Sequence, residues 1–238
     1  MAGRVQLDLE TVLGRVQDRS AGLVTEISTI LLGGVLSAAG FGLIEIFRHP
    51  TDWPQRMMLW LVGLIACFIA YFRLARRAPF YAASGSAVFV AMPALGVSEV
   101  LLFAVLTLDG PGAWRYWFAA AVTMPLTGAL ANVLELRRLH SDHYAADAKM
   151  VFDHLRAQLR TEAVESLGLI VLTSGTGAIV WALPRDWPYF PVLMGGYFAV
   201  SLLLALVIMP REARKADAVV AALLALKSGG SDSATKLG

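Results

Sequence analysis

"HPTDWPQ" occupies His49–Gln55, and "LPRDWPY" occupies Leu183–Tyr189. The same Pro-x-Asp-Trp-Pro pattern thus recurs 134 residues on, each time between two long apolar runs. Proline stops a helix and fixes a turn. Tryptophan settles at the headgroup level of a bilayer, and aspartate can cap the helix that follows it. The stretch reads as a helix turn at a membrane face, with the runs on either side crossing the membrane.

Composition agrees. Of 238 residues, 57% are hydrophobic and only 16% are charged, where a soluble domain carries about 25%. The charges sit in short clusters between apolar runs long enough for a hydrocarbon core of about 30 Å. The expected fold class is all-α: a polytopic membrane helix bundle.

Six spans are expected: Leu23–Phe47, Met57–Leu74, Ala87–Leu108, Trp114–Leu136, Leu167–Leu183 and Tyr189–Met209. They form three hairpins. The fifth is the shortest, and it carries Thr173, Ser174 and Thr176. With both termini in the cytoplasm, 16 of the 20 Lys and Arg fall inside and four outside, the asymmetry that sets membrane orientation. Richness in Ala, Arg and Leu with one Cys suggests a bacterial inner membrane. The first 22 residues mix charges with scattered apolar residues, so no cleavable signal is read and the first span serves as an anchor. The domain plan is an amphipathic segment at 1–22, a membrane domain at 23–209 with a helical cytoplasmic connection at 137–166, and a tail at 210–238 that ends in disorder.

The third outer loop, "LDGPGAWRY", also holds an Asp, a Pro and a Trp. On the inner side "RLARRA" (Arg73–Ala78) echoes "REARKA" (Arg211–Ala216). Two explanations stand: every tight membrane hairpin needs a turn, an interfacial aromatic and a basic stop, or a two-helix unit has been repeated. In the first span Gly34, Ala38 and Gly42 recur every four residues. Small residues so spaced let helices approach closely, either inside the bundle or along a homo-oligomer seam.

Glu99 is the residue that most asks for an explanation. It lies ten residues before Asp109, on the order of 15 Å from the outer end, where a carboxylate is costly and faces the bundle interior or a wet cavity. Thr123 and Thr127 flank Pro125 at similar depth, and Ser174 and Thr176 reach the same level from the fifth span. This polar layer is a candidate ion or proton path; otherwise Glu99 is a neutral, hydrogen-bonded acid. Glu45 and Arg48 near the outer end are a gate or an i, i+3 ion pair. Glu26, Glu135 and Glu165, at inner span ends, are expected to be solvated. "TSGTG" (Thr173–Gly177) resembles the Thr-x-Gly-x-Gly of potassium-channel filters. A filter needs a re-entrant loop, however, and this stretch runs straight on into "AIVWAL", so it reads as span.

The inner connection holds His140, His143, Asp147 and His154, stepping by three, four and seven. On an unbroken helix they would share a face and make a candidate metal or pH-sensing stripe. The run from Met150 extends the fifth span inward. Its apolar Val151 and Leu155 match Val12 and Val16 near the N-terminus, and both segments read as interfacial amphipathic helices ahead of partner-docking ones.

A net charge of +2 and one cysteine, Cys67, give no grounds for nucleic acid, a disulfide or a thiolate metal site. No catalytic motif is present, no histidine or lysine lies inside a span, and no cofactor is expected. Beyond the lipid bilayer, the expected partners are a second copy or another protein. Two functions remain: a small channel or transporter with its path around Glu99, or a non-transporting subunit for assembly, sensing or signalling that docks a partner through the inner connection at Val151, Phe152 and Leu155.

Overall fold

A computed structural model describes residues 7–17, 23–48, 52–77, 80, 86–110, 112–184 and 187–235. The turn residues His49, Pro50, Thr51, Pro111, Arg185 and Asp186 fall outside this set, so the capping expected of Asp186 lies outside the described residues. The described chain is helical. A short α1 (Leu9–Gln17) precedes α2 (Leu23–Ile46), α3 (Trp53–Arg77), α4 (Ser86–Ala104), α5 (Tyr116–Arg138), α6 (Lys149–Ala182) and α7 (Phe190–Thr235). No strand occurs among the described residues; the one β interaction is an isolated bridge between Leu7 and Tyr144.

Five helical stretches are long and apolar enough to cross a membrane: Thr29–Ile46, Trp53–Arg77, Ala113–Arg138, Ala146–Ala182 and Phe190–Ala225. The chain is accordingly a multi-pass membrane protein. The expected third span is a shorter apolar helix, Met92–Thr107, in the described residues; α4 gives way to a tight turn at Val105–Thr107. The fifth span, the shortest in sequence, belongs to the 34-residue helix α6, about 51 Å long and far longer than the core of about 30 Å it would cross. Helix α7 continues to Thr235, through residues where tail disorder was expected, because the Ala- and Leu-rich run before Lys227 propagates the helix.

Two ends can be distinguished. The tryptophan end carries Trp53, Trp114 and Trp187. There Asp52 accepts a hydrogen bond from the Gly112 N–H at 3.4 Å, which links the first and third turns of the chain. Gly112 sits at φ 75° and Gly110 at φ 102°, left-handed conformations that glycine adopts without strain. Arg56 is wholly buried one turn into α3 and donates to the carbonyls of Leu106 and Leu108.

The basic end carries Arg73, Arg77 and Arg211 together with α1. Leu7 lies alongside Tyr144, with Leu7 N–H on the His143 carbonyl and Ala145 N–H on the Leu7 carbonyl, each at 2.9 Å. Tyr144 in turn donates its hydroxyl to the Phe80 carbonyl at 3.0 Å. Val12 and Leu13 are buried with Phe80, Val151, Phe152 and Leu223. The apolar face of α1 is therefore satisfied by its own chain. This corrects the expectation of an interfacial helix: the extended stretch at Leu7 delivers α1 onto protein rather than lipid.

Helix packing also differs in phase from the expected small-residue stripe. The buried face of α2 is Val35, Ala39, Gly42 and Ile46. Gly42 lets the backbone of Phe103 come close, its missing Cβ lying 3.4 Å from the Phe103 carbonyl oxygen. Ala38 is half-buried, whereas Gly34 faces outward with open space around it. The Ala39 carbonyl accepts from Trp60 Nε1 at 2.8 Å, tying α2 to α3.

Candidate functional site

Helices α3 to α7 line a partly open cavity of about 210 Å³. Its walls are mostly apolar, from Val62 and Ile69 on α3, Leu102 on α4, Met124 on α5 and Leu172 on α6. Helices α5 and α6 pack closely on one side, while α6 and α7 scarcely touch. Polar side chains enter at intervals. Thr173 and Tyr197 approach hydroxyl to hydroxyl at 3.3 Å across α6 and α7. Thr127 on the wall meets Ser98, which lies outside the cavity, at 3.3 Å across α4 and α5.

At the basic end charged residues line the cavity. Arg77 Nη1 meets Glu162 Oε2 at 3.0 Å and donates to Asn132 Oδ1 at 2.9 Å. Arg73 pairs with Glu165, which Arg211 also approaches at 3.8 Å. Gln158 donates to Glu162 at 3.0 Å and reaches Glu212 at 3.5 Å. Four helices meet in this network. Glu162 is only 2% exposed, and counting back about 20 residues from Ala182 puts it at the edge of a hydrocarbon core. Buried ion pairs add little net stability, because desolvation offsets their attraction; removing one partner is what costs. Their effect here is to define how α3, α6 and α7 meet.

The residues expected to line a polar path do not share one space. Thr127 lines the main cavity, but Glu99 does not. The acid lies 8% exposed in a smaller neighbouring pocket of about 30 Å³, with Cys67, Tyr71, Met92 and Gly96, and Met92 and Leu95 line both spaces. That volume suffices for a water molecule, and Glu99 has no hydrogen bond or ion pair among the described residues. Thr123 bonds back to the Ala120 carbonyl at 2.6 Å and Thr127 to the Thr123 carbonyl at 2.8 Å. Ser174 is exposed and Thr176 half-exposed, while their neighbour Thr173 points inward. One residue turns a helix by 100°, so neighbours in sequence face different ways.

Glu45 and Arg48 form the ion pair, at 2.7 Å. The histidine stripe does not assemble. Two tight turns, Ser141–His143 and Ala146–Ala148, break the connection. His140 and His143 meet edge to face, Asp147 accepts from Leu9 N–H at 3.3 Å, and His154 turns its ring to Phe80. Among the described residues no three His, Cys, Asp or Glu side chains are grouped to hold a metal. Val151 and Phe152 are buried with Leu13 and Phe80, and Leu155 with Met92 and Leu159.

Sequence reasoning missed Arg73, Arg77, Asn132 and Glu162 and took Glu135 and Glu165 as solvated. Glu135 is in fact 9% exposed and lines the cavity. The available signal was the spacing of Gln158, Glu162 and Glu165, which puts three polar groups on one face of a helix. A scan against protein-family models matches no family, and searches of curated proteins and of solved structures return no match.

Proposed function

We propose that this chain is a six-span transporter of a bacterial inner membrane, with both termini cytoplasmic, whose solute occupies the cavity among α3 to α7 and whose Glu99 exchanges a proton. The observation that carries this reading is the pair of interhelical ion bridges, Arg73–Glu165 and Arg77–Glu162, beside the basic end of the cavity. Ion pairs between helices at one end of a cavity suit an alternating-access mechanism, since the pairs can separate without unfolding any helix. Glu99, buried with no hydrogen-bond or ion-pair partner among the described residues and in a pocket with room for water, supplies a group whose charge can change as the bundle rearranges. The six spans include α4, whose apolar run matches the others in kind.

The test is proton movement in proteoliposomes loaded with a pH-sensitive dye under an imposed membrane potential. Wild type is expected to acidify or alkalinise the lumen, and Glu99→Gln to lower that rate with the fold intact by circular dichroism. Absence of flux from correctly inserted wild type, or equal flux from Glu99→Gln, would overturn the reading.

A further inference from the structure

Hydroxyl groups inside the helices of this chain mostly turn back on their own backbone. Ser37, Ser98, Thr127 and Ser201 each donate to the carbonyl four residues earlier, at 2.8 Å. That is the usual way a helical serine or threonine satisfies its proton. Ser166 is an exception. It is 7% exposed and lines the main cavity, and its Oγ has no hydrogen bond among the described residues.

Asn132 lines the same cavity and is 5% exposed. Its Oδ1 accepts from Arg77, which leaves the two protons of Nδ2 without an acceptor among the described residues. Both atoms keep accessible surface, unlike the sealed nitrogens Arg73 Nε and Trp117 Nε1. They open into the cavity rather than into packed protein.

The backbone places them together. A Cβ at Gly128 would lie 3.7 Å from Ser166 Oγ, so that hydroxyl sits beside Gly128. Asn132 follows Gly128 by one turn of α5, which separates the two polar groups by roughly 5–6 Å along the bundle. One oxygen between them can reach both. A hydroxyl can accept from Asn132 Nδ2 and donate to Ser166 Oγ. Gly128, also on the cavity wall, leaves the space beside Ser166 open.

Size and charge narrow the occupant. An apolar cavity of about 150 Å³ holds benzene, so 210 Å³ suits a molecule of roughly ten non-hydrogen atoms. The charged side chains on the wall are Arg73, Arg77, Glu135 and Glu162, two of each sign, so no net charge calls for a counter-ion. The remaining wall is largely apolar, from Val62, Leu102, Met124 and Leu172. Apolar walls with a few placed polar groups are the usual pattern of a small-molecule site.

From these observations we infer that the cavity binds a small, uncharged, largely apolar alcohol, its hydroxyl seated between Asn132 Nδ2 and Ser166 Oγ. The inference rests on the transport reading only in treating the cavity as the solute's site.

The experiment uses the full chain in lipid nanodiscs and a short-chain primary alcohol carrying a diazirine. Adducts are located by peptide mass spectrometry, with concentrations expressed as mole fraction in the bilayer. The probe is expected to label Met124, Leu169 or Leu172 saturably. The unlabelled alcohol is expected to compete about fivefold better than an ether of equal size, which accepts but cannot donate. An ammonium compound of the same chain is expected to compete least. Ser166→Ala is expected to lower the alcohol's affinity about fivefold, to the level of the ether, and to leave the ether's affinity unchanged. Gly128→Ala keeps both polar groups, places a methyl in ordinary contact with Ser166 Oγ, and is expected to lower the alcohol's affinity with the fold intact by circular dichroism. Ser174→Ala, exposed on the same helix, is expected to change nothing. Non-saturable labelling overturns the inference, as does equal competition by ether and alcohol, or an ammonium compound that competes best. A Ser166→Ala effect that weakens alcohol and ether alike also overturns it. Saturable, Ser166-dependent labelling in a protein that moves no protons keeps this inference and removes the transport reading; Glu99-dependent flux without labelling does the reverse.

Discussion

Arg56 Nη1 donates to the Leu108 carbonyl over 3.1 Å from a side chain wholly withdrawn from solvent. The same nitrogen reaches the Leu106 carbonyl, and Asp52 lies 3.6 Å from Nη2. These carbonyls belong to the end of the α4 segment, where backbone oxygens lack intrahelical donors and the helix dipole is negative. A cation there joins the start of α3 to the end of α4. Arg56→Met is expected to destabilise the protein by about 3 kcal/mol, since it strips charged hydrogen bonds from buried carbonyls. Arg56→Lys is expected to recover part of the loss, having charge without the planar fork. Denaturant unfolding in bicelles measures both; equal stability of Arg56→Met and wild type would contradict this role.

The Arg77–Glu162 pair has side chains 11% and 3% exposed. Neutralising either partner leaves the other buried alone, so Arg77→Gln and Glu162→Gln are each expected to cost about 3 kcal/mol. The double variant is expected to cost clearly less than their sum, because no charge is stranded. A double-mutant cycle in the same unfolding assay reads the coupling, and simple additivity would mean that the pair is not made.

Two glycines of α6 make opposite predictions. A Cβ at Gly177 would lie 2.9 Å from Phe118 Cβ, whereas one at Gly175 meets nothing within 4 Å. Gly177→Ala is expected to push α5 from α6 and cost about 1–3 kcal/mol. Gly175→Ala is expected to stabilise by up to about 1 kcal/mol through helix propensity. Thermal unfolding of the two variants side by side checks the sign of each.

Asp8 caps α1, accepting from Thr11 N–H at 2.8 Å. The hydrogen bonds from the Thr11 side chain and backbone hold its carboxyl below the usual value of 3.8. A depressed pKa favours the charged, folded form, so the contribution of the cap is complete above pH 3.8 and is lost as pH falls through the lower folded value. Amide exchange in α1 is expected to quicken over that acid window. In Asp8→Ala it is expected to be fast throughout, and a wild-type profile flat in pH would exclude the cap.

Much of the architecture was legible because helix length and apolar runs are local properties. The five long apolar helices and the Glu45–Arg48 pair followed from neighbours in sequence. Which face of a span turns inward was not legible. Helix α4 is apolar nearly all round, so nothing in its pattern told that Ser98 faces α5 while Glu99 faces Cys67. The basic residues Arg73 and Arg77 served to orient the chain, and their partners Glu165 and Glu162 lie far along it. Pairing at such separation leaves no trace in a local pattern. Conversely, the histidine stripe looked regular only while the connection was treated as one helix.

The bridge between Leu7 and Tyr144 joins residues that leave the ribosome far apart in time. Until His143 has been made, the Leu7 amide has no carbonyl to meet, and by then α2 to α5 have already been synthesised. The segment before α2 is thus secured after α2 to α5 have been made. It is fastened only when the segment at Tyr144 arrives, a built-in order of assembly in which an earlier helix waits for a later turn.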